Sequence, residues 1–266
     1  MHLLRRLTPI LVTLAVGVSF FLIAVRPSFV LNLFGGNIAL FLGLCVGLAL
    51  FWIAVGMVHI GAFHPMDSRL RFLPFPLILV SSVFVTVSFL ERGSTLLTIG
   101  LLTSAVIWLW YESLYMFWQQ TEQYQPYTLQ RLSVPLYLIA IFFLTTALNG
   151  LYVYLQMKFG GVLVFGALAL GILFLDVYAL CQFEQTKARL SAAASTFVAL
   201  EALLAISYLP THIFMQAILM CLMFYALVGL TRLWAQQDLR RSQVLPYILV
   251  SCLGFLVTIG STLWIV

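Results

Sequence analysis

Charge is scarce in this chain. Of its 266 residues only 8% are Asp, Glu, Lys or Arg, while 63% are hydrophobic; a soluble domain carries about 25% charged and 45–50% apolar residues. So little polar surface cannot cover a water-soluble core. The natural solvent is hydrocarbon, where apolar side chains face outward without penalty, and the 22 Phe and six Trp suit membrane helices with interfacial aromatics. Long polar segments are absent too. The longest connection, Gln119 to Ser133, is a short stretch rich in Gln and Tyr, so any function resides in the helices or at their rims.

Other absences narrow the function. The net charge is +5, but no basic stripe is long enough to track phosphates, which excludes a nucleic-acid partner. Cys45, Cys181, Cys221 and Cys252 contain no CxxC pair, so they read as small packing residues and give no support to a zinc or redox site. No HExxH, GxSxG, phosphate-binding loop, dinucleotide fingerprint or paired-aspartate diphosphate motif occurs. The chain therefore reads as non-enzymatic, and no cofactor is expected.

What is present is a series of apolar runs, each near the ~20 residues needed to cross ~30 Å of hydrocarbon. They lie at Leu7–Val25, Ile38–Val58, Leu73–Leu90, Thr95–Trp118, Val134–Leu155, Val162–Leu180, Ala192–Leu209, His212–Leu233 and Pro246–Val266. The expected fold is an all-α integral membrane protein, one domain over 1–266, with about nine transmembrane helices. Pro210 alone divides the seventh span from the eighth. The first span follows Arg5-Arg6 like a signal peptide. Its apolar stretch is longer than a signal core, and the small residues Gly17-Val18-Ser19 lie inside it, so a retained anchor is expected.

Lys and Arg set the orientation. Arg5, Arg6, Arg69, Arg71, Arg131, Lys187, Arg189, Arg232, Arg240 and Arg241 fall on one side of a nine-span chain, ten of the 13 basic residues. Arg26, Arg92 and Lys158, the other three, fall opposite. The positive-inside rule places the N-terminus in the cytoplasm and the C-terminus outside, in a plasma or inner membrane. A weak repeat accompanies this pattern. Arg6-Leu-Thr-Pro9, Arg71-Phe-Leu-Pro74, Arg131-Leu-Ser-Val-Pro135 and Arg241-Ser-Gln-Val-Leu-Pro246 each put Pro a few residues after a cation. Pro in a first turn sacrifices no internal hydrogen bond, so Pro74 or Pro76, Pro135 and Pro246 are expected in first turns. The pattern fits repeated two-helix hairpins, and equally the demands that any cytoplasmic helix end must meet.

Three acids interrupt the apolar spans: Glu112, Asp176 and Glu201. An acid at the bilayer centre costs at least ~2.5–3.5 kcal/mol on insertion scales and should face protein. No Lys or Arg lies in a span centre to pair with them. Glu201 is therefore expected to be buried against another helix, on the face it shares with Ala194, Phe197, Ala205 and Tyr208. Glu112 shares a face with Trp108, Tyr115 and Gln119. That aromatic-lined acid suits an organic cation or, equally, an inner aromatic belt. His59, His64 and Asp67 offer at most three metal ligands on a loop, too few for a convincing metal site. Ala39-x-x-x-Gly43-x-x-x-Gly47, Gly100-x-x-x-Ser104 and Ala167-x-x-x-Gly171 mark expected close helix contacts.

These features favour a structural or accessory subunit of a membrane assembly, with membrane lipids and partner subunits as its neighbours. The alternative is a small proton-coupled transporter using Glu201, with Asp176 and Glu112 on the cytoplasmic route. An intramembrane lipid-modifying enzyme is third. Convergence of the three acids on one cavity would favour transport.

Overall fold

The computed structural model describes residues 2–25, 38–61, 71–90, 93–119, 128–181, 183–235 and 241–261. Among these residues every regular element is an α-helix: α1 (His2–Val25), α2 (Ile38–Ile60), α3 (Pro74–Ser88), α4 (Gly93–Gln119), α5 (Thr128–Tyr154), α6 (Phe159–Leu180), α7 (Gln185–Ser207), α8 (Ile213–Ala235) and α9 (Arg241–Ser261). Helix is the form a lone segment must take in hydrocarbon, because no water is present to satisfy a free N–H or C=O. Eight of these nine helices are long and apolar enough to cross a membrane. The chain is a polytopic all-α membrane protein, as its hydropathy implies.

The ninth helix is shorter than expected. α3 has 15 residues and rises about 22 Å, short of a ~30 Å core. Pro74 starts it, in the first turn as expected, and the N–H of Phe89 closes it on the carbonyls of Thr86 and Val87.

The other prolines require a correction. Pro135 and Pro246 lie inside their helices, seven residues after Thr128 and five after Arg241. Both helices continue past the apolar run into the rim. Pro removes only the bond to the carbonyl four residues back, and at both sites that carbonyl, on Arg131 or Ser242, is near the helix end. Pro210 does break the chain, between Ser207 and Ile213. The buried Gln216 side chain caps this turn, its Nε2 donating to the carbonyls of Leu209 (3.1 Å) and Thr211 (3.3 Å).

The chain divides into two compact units, residues 1–129 and 130–266. In the first, α1 packs on α2 and α4, and α3 packs on the same two helices. Contacts are close where glycine allows them. A Cβ on Gly56 would stand 2.4 Å from Val12, and one on Gly100 would stand 2.7 Å from Phe20. Phe20 stacks on Phe84 at 4.4 Å, and Trp110 lies 4.4 Å from Phe75. Gly43 and Gly47, expected at a close contact, instead face open space with no atom within 4 Å of a built Cβ. The Gly100–Ser104 stripe does pack, with Ser104 3.2 Å from a Cβ built on Gly17.

In the second unit α6 lies on α7, and α8 touches α6, α7 and α9. Side-chain hydrogen bonds draw α5 into this group. Asn149 Nδ2 donates to Gln216 Oε1 of α8 (2.8 Å), and Ser207 of α7 donates to Asn149 Oδ1 (3.2 Å). Two-thirds of the α5 span is buried (67%) against 6% of the α9 span. α9 packs on α8, where Gly229 admits the Tyr247 ring at 2.2 Å from a built Cβ and Gly254 admits Leu222 at 2.8 Å.

Candidate functional site

The three intramembrane acids have three different surroundings. In the first unit Glu112 forms an ion pair with Arg6, whose Nη1 donates to Glu112 Oε1. The same guanidinium lies over the Tyr115 ring, 5.1 Å from its centroid. The acid expected to lack a cationic partner therefore has one, supplied by the first helix. The aromatic and acidic groups that suit an organic cation are engaged by the chain's own arginine. Trp108 is not part of this cluster. It is exposed at 42%, while Tyr115 is buried.

Around this pair, hydrogen bonds join three helices. Thr8 Oγ1 of α1 lies 2.9 Å from His59 Nδ1 of α2. From α4, the Tyr111 hydroxyl donates to the Ile53 carbonyl and Gln119 Nε2 to the Ile60 carbonyl (3.1 Å). His59 is thus a helix-to-helix contact. His64 and Asp67 lie outside the described residues. Among those described, no three His, Cys, Asp or Glu side chains are grouped to hold a metal.

In the second unit Asp176 is buried at 4%, four residues before the end of α6. It accepts a hydrogen bond from the Tyr137 hydroxyl of α5. Two residues on, the Tyr178 hydroxyl meets Ser195 Oγ of α7 at 2.7 Å. Just beyond α6, burial pushes the Cys181 thiol above its ordinary range, with Arg232 pulling the other way.

Glu201 does not share this setting. It is exposed, and among the described residues no side chain or backbone group bonds to it. α7 buries Ala188, Ser191, Ala192, Ser195, Ala199, Leu203 and Ile206. At about 100° per residue, Glu201 falls on the far side from that row. Its expected neighbours Ala194, Phe197, Ala205 and Tyr208 are all exposed with it, Phe197 at 65% and Tyr208 at 74%. The residues were grouped correctly on one face, but that face points outward. Alanines occur on both sides of α7, so residue size did not distinguish inside from outside. Within this unit Asp176 is buried while Glu201 faces outward.

Two contacts are not read from the sequence. Arg6 counts there only toward orientation and the cation–Pro repeat, yet it pairs with Glu112 of α4. The amides Asn149 and Gln216 interrupt apolar runs as the acids do, and that signal was available. Comparison with known protein families, curated proteins and solved structures finds no match to this chain.

Proposed function

We propose that this protein is a membrane-embedded accessory subunit of a larger assembly, and that the outer face of α7 receives a transmembrane helix of another protein. The observation that carries this reading is Glu201, an exposed acid in an apolar span with no hydrogen-bond or ion-pair partner among the described residues. It sits six residues before Ser207, about 9 Å inside the helix end. Left in lipid, an acid in a span is penalised by up to several kcal/mol. A partner helix with Lys or Arg at that depth would remove the penalty, because opposite charges attract strongly where water is excluded. Ala194 and Ala205, exposed on the same face, leave room for close approach.

Two further faces support an assembly role. Gly43 and Gly47 of α2 are open, and most described residues of α9 are exposed. A second copy of the chain is a weaker fit to Glu201, since among the described residues no Lys or Arg lies within the outer half of a span. The positive-inside count orients the subunit with its N-terminus in the cytoplasm and its C-terminus outside, in a plasma or inner membrane.

The test is photocrosslinking in native membranes from a probe at Ala205 or Tyr208, with exposed Leu168 of α6 as control. The expected result is one discrete membrane protein captured from both α7 sites and not from Leu168. Glu201→Lys should abolish capture, and reversing the partner's basic residue should restore it. Capture of lipid alone, or of a second copy of this chain, would overturn the reading. The proton-coupled transporter remains a second reading because Asp176 is buried and bonded to Tyr137. It requires Asp176→Asn to abolish proton-linked uptake in vesicles.

A further inference from the structure

A groove of about 400 Å³ runs along the outside of the α6–α7 pair. Its walls are Gly171 and Leu175 of α6 and Ala193, Phe197 and Leu200 of α7, with Arg189 at one end. The space exists because small residues stand where larger ones would close it. Nearly all of the lining is hydrocarbon, and the Arg189 end is the single strongly polar feature. Arg189 is exposed, and among the described residues it has no acidic partner. The nearest basic residue in sequence, Lys187, is already matched by Glu184 at 3.3 Å.

Position and length identify the occupant. Arg189 lies four residues into α7, about 6 Å from its start, where an arginine head extends to the headgroup layer. From Arg189 to Leu200 the helix rises about 16 Å, close to the ~15 Å of half a hydrocarbon core. The groove therefore has one cation at headgroup level and one leaflet's depth of apolar wall below it. We infer that it binds a single anionic phospholipid, with the phosphate on Arg189 and one acyl chain between α6 and α7. This site does not depend on the partner face. Glu201 lies about 100° around the helix from Leu200, and exposed Phe197 stands between them.

The test uses the full chain in mild detergent, exposed to phosphatidylglycerol or phosphatidylcholine, with retained lipid counted by native mass spectrometry. The wild type should retain one phosphatidylglycerol in preference to phosphatidylcholine. Arg189→Gln should weaken phosphatidylglycerol retention about fivefold, the effect of one cation near an anionic headgroup, and weaken phosphatidylcholine, whose choline offsets its phosphate, by less. Ala193→Phe fills the groove and should weaken both lipids. Lys187→Gln should behave as wild type. Thermal unfolding without lipid checks that each variant is folded, and Gly171→Leu serves as a second groove-filling variant from the opposite wall. Unchanged retention in Arg189→Gln, or in both groove-filling variants, would overturn the inference. So would competition by soluble glycerophosphate as effective as that by the lipid, because the groove would then contribute nothing.

Discussion

Glu112 and Glu201 are the same residue type in two similar apolar helices, and the two units of the chain treat them differently. In residues 1–129 the acid meets an arginine and a tyrosine of its own chain. In residues 130–266 Glu201 faces outward, with no ion-pair partner among the described residues. A charge compensated within the chain belongs to a finished interior. A charge left uncompensated at membrane depth is the feature on which the proposed partner face rests. α2 shows the same contrast: Gly56 is packed against Val12 and Tyr111, while Gly43 faces open space.

That pair of glycines gives the largest effect. Gly56→Leu should cost about 1–3 kcal/mol or more by overpacking, whereas Gly43→Leu should leave the isolated chain unchanged. Thermal unfolding in detergent measures both, and equal losses would break the contrast. Asn149→Leu should cost about 1–2 kcal/mol, because buried Gln216 loses the donor to its Oε1. Glu112→Gln should cost less, about 0.2–1 kcal/mol. Half of the Arg6 side chain is exposed, so solvent and salt screen the pair. The loss should shrink in high salt, and a salt-independent loss would mean that the acid works through packing instead. Glu201→Gln should change the stability of the purified chain by no more than about 0.5 kcal/mol, while capture of its partner in membranes is lost. A stability loss as large as that of Glu112→Gln would place Glu201 in the interior after all. Last, Cys181 should react slowly with maleimide at neutral pH and speed up as pH rises. Its raised thiol range leaves less thiolate than an ordinary cysteine has at pH 7. Labelling as fast as that of a free thiol would remove the effect of burial.

The number of helices was legible because the bilayer dictates their length, and the break at Pro210 was legible because a proline deep in an apolar run removes a mid-helix hydrogen bond, whereas Pro135 and Pro246 stand near their helix starts. The inward side of each helix was not. In water, polarity separates the two sides of a helix, but lipid and protein interior are equally apolar and the signal disappears. α7 shows this: Ala188, Ala192 and Ala199 are buried while Ala193, Ala194 and Ala205 are exposed. The face containing Glu201 could be assembled from spacing, and its direction could not. The Arg6–Glu112 pair was hidden for a different reason. Its members are 106 residues apart, and nothing local to either residue announces the other. Asn149 and Gln216 needed only the same attention as the acids.

The turn at Pro210 also bears on how the chain enters the membrane during synthesis. α7 carries an acid and has a mean hydropathy of 1.7, while α8 reaches 2.3. Only five residues separate Ser207 from Ile213, and Gln216 fastens that link from the α8 side. A connection so short leaves α7 little freedom to settle before α8 has emerged. The two helices then partition as one hairpin, and the strongly apolar second arm carries the acidic first arm across. Glu201 can thus occupy an outward-facing position that its own helix, inserted alone, would hold less securely.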